Sequence, residues 1–189
     1  AYEIVSRDWS SDVCSSDLSL VTLSGSSSYK AILDITQTTS GASIKSLSSS
    51  GTAAKDLVYL GAKTLTLSNA NNTFAGVIAD AGGITSATGG GLTLSAGTET
   101  LTNANTYTGT TTVGTGSQTA DVTLALGTSG AISSSLVTLN GSSSYKAILD
   151  ITQTTSGASI KSLSSSGTAA NDLVYRSEEH TSELQSRET

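Results

Sequence analysis

Short apolar runs alternate with serine, threonine, glycine and asparagine along most of this chain. Leu20-Val21-Thr22-Leu23, Ala31-Ile32-Leu33-Asp34-Ile35, Leu65-Thr66-Leu67, Leu92-Thr93-Leu94 and Val122-Thr123-Leu124-Ala125-Leu126 are examples. Period-two alternation bounded by turn formers predicts half-buried strands. Apolar centres fall near residues 21, 33, 46, 58, 66, 78, 93, 101, 113, 125 and 137, with one longer gap across Gly82 to Gly91. No useful length keeps a helical period. Richness in serine, glycine and threonine is also a signal of disorder, but the recurring apolar strands predict order over residues 19–175.

The pattern repeats at long range. Ser19–Tyr59 aligns with Ser135–Tyr175 over 41 positions at an offset of 116 residues, and differs only at Ser24/Asn140 and Lys55/Asn171. A closed barrel or sandwich has no natural place for such a copy joined without a linker. A stack of coils does, because further coils simply extend it. The expected fold is therefore all-β, a single-stranded parallel β-helix over 19–175, with about five coils of roughly 20–25 residues per unit. Leu23, Ile32, Ile44, Leu57, Leu65, Leu67, Leu92, Leu94, Val113, Leu124 and Leu126 are expected to point inward.

Two stretches share a motif. Leu65-Thr66-Leu67-Ser68-Asn69-Ala70-Asn71-Asn72-Thr73-Phe74-Ala75-Gly76-Val77-Ile78 and Leu101-Thr102-Asn103-Ala104-Asn105-Thr106-Tyr107-Thr108-Gly109-Thr110-Thr111-Thr112-Val113 each carry Leu-Thr, then Asn-Thr-aromatic-x-Gly, then a β-branched strand. They resemble the autotransporter-associated β-strand repeat of Gram-negative passenger domains. Thr123–Gly127 and Leu136–Gly141 are similar to its later strands. The resemblance implies a right-handed parallel β-helix, exported across the outer membrane to the cell surface, often as an adhesin stalk. Any membrane attachment would run through a C-terminal barrel that this sequence does not contain.

The character changes abruptly at both ends. Arg176–Ser186 resembles a translated sequencing-library adapter. Asp8–Leu18 resembles the opposite strand of the same oligonucleotide, and Ala1-Tyr2-Glu3 the primer upstream of it. The codons possible at Ile4–Arg7 and at Arg187–Thr189 admit one shared index read from opposite strands. Residues 1–18 and 176–189 are therefore expected to be adapter-derived and outside the packed core. Between them lies an internal fragment of a longer reading frame, with neither a signal peptide nor a transmembrane run expected in it.

This exclusion changes the charge. The whole chain carries −6, but Ser19–Tyr175 holds six lysines and seven acids, close to neutral. The acidic balance is thus no clue to a basic partner. The only Trp, Cys, His and Arg residues also fall in the excluded ends. Disulfides and thiolate metal sites are not expected in the remainder.

Few residues invite chemistry. Asp34 and Asp150 occupy one repeat position, as do Asp56 and Asp172, and paired carboxylates can do acid–base work. Acids that cap turns at strand ends fit them better, because no arginine accompanies them. Gly82-Gly83 and Gly89-Gly90-Gly91 lack the following lysine and helix of a phosphate loop. Acids are too sparse for a calcium cage. Thr110-Thr111-Thr112 and the many Thr-x-Thr patterns raise an ice-binding solenoid, which requires a regular ladder of outward threonines. Irregular coil lengths speak against one. Phe74 and Tyr107 are expected in or beside the core.

The expected function is a structural or adhesive stalk, binding at most a surface ligand such as a host or matrix glycan or protein. No enzyme activity, cofactor, metal or nucleic-acid partner is expected. A fragment of a β-helical carbohydrate-active enzyme is the alternative, with its catalytic coils outside this chain. Cut coils at both ends also predict head-to-tail self-association.

Overall fold

The computed structural model describes residues 19–155 and 157–176. The expectations placed on Trp9, Leu184 and the other residues of 1–18 and 177–189 lie outside the described residues. Arg176 follows the last strand and is exposed.

The chain winds as a parallel β-solenoid of about six coils, each with three faces. The first coil holds β1 (Leu20–Leu23), β2 (Ala31–Asp34) and β3 (Ala42–Ile44). The second holds β4 (Ser46–Ser49), β5 (Asp56–Tyr59) and β6 (Thr64–Leu67). The third holds β7 (Ala70–Phe74), β8 (Val77–Ala79) and β9 (Gly91–Leu94). Later coils keep two long strands: β10 (Gly97–Leu101) with β11 (Thr110–Val113), β12 (Val122–Leu126) with β13 (Ile132–Leu139), and β14 (Ala147–Asp150) with β15 (Ile160–Ser165). The last strand is β16 (Asp172–Tyr175).

All strand pairs are parallel. The first face stacks β1, β4, β7, β10, β12, β14 and β16. Its backbone ladder is interrupted once, between β4 and β7. There Ser46 Oγ accepts from Asn71 N at 3.1 Å and Ser49 Oγ from Ala75 N at 3.1 Å, so two serines stand in for carbonyls. The second face stacks β2, β5 and β8. It continues as single bridges, Ala104 to Ala131 and Ile132 to Ile160. The third face stacks β3, β6, β9, β11, β13 and β15.

Alternate residues of each strand line the interior. Leu65, Leu92 and Val137 stack in one column, and Leu67, Leu94, Val113 and Leu139 in the next. Phe74, Leu101 and Leu126 do the same on the first face. Nine of the eleven residues expected to point inward are buried. Ile32 and Leu57 are not: Ile32 is 45% exposed and Leu57 only half-buried. Their strands turn the other phase inward, so that Val58 packs over Ile78. The run Ala31-Ile32-Leu33 is apolar at every position, so alternation alone does not choose its face.

Corners need glycine where backbones nearly touch. At Gly97 φ is 79°, and a Cβ there would lie 1.9 Å from the Ala70 carbonyl oxygen. No other residue fits both conditions.

The repeat unit is not a whole number of coils. From β1 four coils lead along the first face to β12, and two further faces lead to β13, the counterpart of β1. One unit therefore spans about four and two-thirds coils, against the five expected. Identical sequence sits one face round: β1 and β4 lie on the first face, while their counterparts β13 and β15 lie on the third.

Candidate functional site

The four acids singled out in the sequence each bind backbone amides and not one another. Asp56 is fully buried, not solvated as a strand-end acid would be. Its Oδ1 accepts from Gly25 N at 2.5 Å, which ties the second coil to the first. Asp172 repeats that bond to Gly141 N at 2.5 Å. Asp34 accepts from Thr36 N and from Ile84 N, at 2.9 and 2.7 Å. Asp150 accepts from Thr152 N at 2.9 Å. All four serve backbone amides, which is a structural task.

Two buried acids escaped the sequence reading. Asp80 follows β8 and receives four donors: Gly89 N, Gly90 N, Thr108 N and Thr108 Oγ1. With Asp34 it pins the glycine-rich loop 81–90, whose Ile84 is 68% exposed. The Gly89 and Gly90 amides donate to this internal carboxylate, so they are turn residues already engaged and not a cradle for an external phosphate. Glu99 sits on β10 with Gly97 and Leu101, in the inward phase, and that alternation was the signal available for it. Its Oε2 accepts from Ser46 Oγ at 3.3 Å, while Oε1 has no partner. Burial pushes its pKa up to about 8, against the smaller opposing effects of the Ser46 hydroxyl and the Leu47 backbone. Glu99 is therefore a neutral acid at neutral pH.

Phe74 and Tyr107 are both fully buried in the core. Tyr107 OH bonds Thr111 Oγ1 at 2.6 Å, and Thr111 in turn bonds Ser135 Oγ at 2.7 Å. Burial raises the phenol to about 12, so this chain of hydroxyls stays protonated. Among the described residues, no group of three or more His, Cys, Asp or Glu could hold a metal ion.

An ordered surface array lies on the third face. Ser43, Thr66, Thr93, Thr112, Thr138 and Ser164 are register partners in six successive strands. From Thr66 to Thr138 the residues on either side are buried, so these side chains face out, and Ser164 continues the register on the exposed last strand. They form an unbroken hydroxyl file with a step of roughly 4.8 Å. Thr138 Oγ1 and Ser164 Oγ bond each other at 2.9 Å. Beside the file runs a second column, Thr64, Gly91, Thr110, Leu136 and Ser162, which is mixed in chemistry. Coils are indeed irregular: the step is 26 residues from Thr112 to Thr138 but 19 from Thr93 to Thr112. The expectation that such irregularity breaks the ladder is corrected, since corners and loops absorb the difference and the strands stay in register.

No family model, no curated protein and no solved structure matches this chain.

Proposed function

We propose that residues 19–175 are a rigid spacer in a cell-surface protein, a structural or adhesive stalk of autotransporter type. The observation that carries the reading is the parallel stacking of six coils, continuous along the third face from β3 to β15, with a repeat unit that extends the same stack. Such a stack gains length by adding coils and needs no other domain to fold against. The acids are spent on backbone amides or buried singly, which suits a scaffold. The two Asn-Thr-aromatic motifs place Phe74 and Tyr107 in the core, where a strand repeat would need them. Export, display on a Gram-negative outer membrane and attachment through a C-terminal barrel are part of this proposal. So is a glycan or protein ligand on the surface that the stalk reaches. Sequencing the source DNA through both adapter junctions tests it. A signal peptide upstream and an amphipathic-strand barrel downstream are the expected result. An upstream or downstream region rich in acids and arginine, with turnover of a polysaccharide, would overturn it in favour of a β-helical enzyme.

The hydroxyl file favours one second reading, an ice-binding face. It is regular along six strands, uncharged and free of aromatic platforms. Those features suit a lattice of water better than a sugar ring, which aromatic faces recognise. Ice-recrystallisation assays on the whole chain test this reading. Inhibition that disappears in Thr93→Arg and Thr112→Arg variants is expected. An inactive parent chain would overturn it.

A further inference from the structure

The two repeat copies differ in what lies over them. In the first copy Leu47 and Val58 are fully buried, sealed by the chain from Leu60 to Ala79. Their counterparts Leu163 and Val174 are 48% and 42% exposed. Ser46 and Ser49 accept amide protons from the covering β7. Their counterparts differ: Ser165 donates instead to Asp172 Oδ2, and Ser162 is exposed. Gly41 is packed tightly against the Thr64 carbonyl, whereas nothing comes near its counterpart Gly157. The edge formed by β15 and β16 is thus, among the described residues, the same surface without its cover.

We propose that this edge is a docking surface for one specific occupant, a further Leu60–Ala79 segment arriving in tandem after Tyr175. Every contact it needs already exists in the first copy. A new β6 would lie over Ala158 as β6 lies over Ala42. A new β7 would lie over β15 and take the Ser162 and Ser165 hydroxyls for its amides. A new β8 would lie over β16 as β8 lies over β5. Because the unit spans four and two-thirds coils, each added unit sits one face further round the axis. A feature borne once per unit, such as the pinned loop at Ile84, would then wind about the rod, and its face would recur after three units. This edge preference stands whether or not the protein is displayed on a cell.

The test inserts a second copy of residues 60–134 between Tyr175 and Arg176 of the full chain. Hydrogen exchange then reads the amides of 162–165 and 172–175. In the parent chain they should exchange at least hundredfold faster than those of 46–49 and 56–59, and in the extended chain within about tenfold of them. Spin labels at Ile84 and its inserted counterpart should be separated by more than the axial rise, which is roughly 22 Å for this many strand spacings. A separation equal to the rise alone would overturn the rotation. Should the extended chain fail to fold, a labelled Leu60–Ala79 peptide is titrated onto the parent chain instead. Protection confined to 160–175, weakened at least tenfold by Ser162→Ala with Ser165→Ala, is expected. Absence of protection in both formats would overturn the proposal. An edge already protected in the parent chain, with concentration-dependent sedimentation, would also overturn it by naming a second copy as the occupant.

Discussion

Ser19–Tyr59 and Ser135–Tyr175 are almost the same sequence in two different environments. In the first, β4 and β5 lie inside the stack, and Leu47, Val58 and Asp56 are fully buried. In the second, β15 and β16 form an edge with no fully buried residue. β5 and β16 nonetheless coincide residue for residue, as do the short 3-10 turns at Ala53–Lys55 and Ala169–Asn171, while β15 runs unbroken where the first copy parts β3 from β4 at Lys45. Local sequence thus sets the strand and turn geometry, while the next coil supplies the burial. The stability of each copy should therefore differ far more than its secondary structure does.

The largest effect should come from Glu99 on β10, which reaches back past the covering coil to the first copy. Glu99 lies two coils above β4, and its only side-chain partner is Ser46 of the first copy. Its folded pKa of about 8 lies above the ordinary 4.5. The folded state holds a proton that the unfolded chain releases as pH rises. Stability is then fully present below about 4.5 and falls until about 8, a loss on the order of 5 kcal/mol. Glu99→Gln should remove that loss and flatten the profile. Urea unfolding at pH 5 and at pH 8.5, in both chains, measures it. A parent chain equally stable at the two values would show that Glu99 finds water when ionised.

Next comes the buried leucine and its exposed counterpart. Leu47→Ala should cost about 3 kcal/mol, the usual scale for a cavity in a packed core. Leu163→Ala should cost less than about 0.5 kcal/mol, because that side chain is half in solvent. Equal costs would mean that the last coil is as well covered as the second, and would break the comparison. Paired denaturant curves decide it.

These contrasts mark where the sequence could and could not be read. The solenoid was legible because two signals agreed, period-two alternation and a linker-free repeat. The inward phase was legible in Leu65-Thr66-Leu67 and Leu92-Thr93-Leu94, where polar and apolar positions alternate strictly. It was not legible at Ile32, whose neighbours Ala31 and Leu33 are also apolar, or at Leu57, where the inward places go to the acid Asp56 and to Val58; there the facing coil decides. The fractional coil count was hidden because 19 to 27 residues can separate register partners on the third face. The hydroxyl file was hidden for the same reason. Its threonines are visible in the sequence, but their alignment follows from pairing across loops of unequal length. Asp80 was passed over, and Asp56 was placed at a strand end as a turn cap, because nothing local reveals the amides of other coils that each one binds.

The glycine pair gives a smaller contrast. Gly41 and Gly157 both adopt positive φ, 99° and 76°. A Cβ at Gly41 would lie 2.2 Å from the Thr64 carbonyl oxygen, while at Gly157 it meets nothing. Alanine at Gly157 should cost only the left-handed strain, about 1 kcal/mol. Alanine at Gly41 should cost about 2 kcal/mol more, because backbone must move. Thermal unfolding of the two variants measures the gap. It should shrink once the second edge is covered by an added coil, as Gly157 then acquires a neighbour of its own.

The smallest effect lies at one of the two positions where the copies differ. Asn171 donates through Nδ2 to the Ser142 carbonyl at 2.8 Å. Its counterpart Lys55 is part-exposed, and Ser26 occupies the place of Ser142. The backbone around the two turns is alike, with φ and ψ of −78° and 113° at Thr52 against −78° and 108° at Thr168. Lys55→Asn should therefore reproduce the bond in the first copy and stabilise it by about 0.5–1 kcal/mol, the net value of one ordinary hydrogen bond. Asn171→Lys should remove a similar amount from the second. The two changes act on opposite ends of the stack and should add. If Lys55→Asn is neutral while Asn171→Lys destabilises, the bond depends on the open edge beside it and not on the turn that carries it.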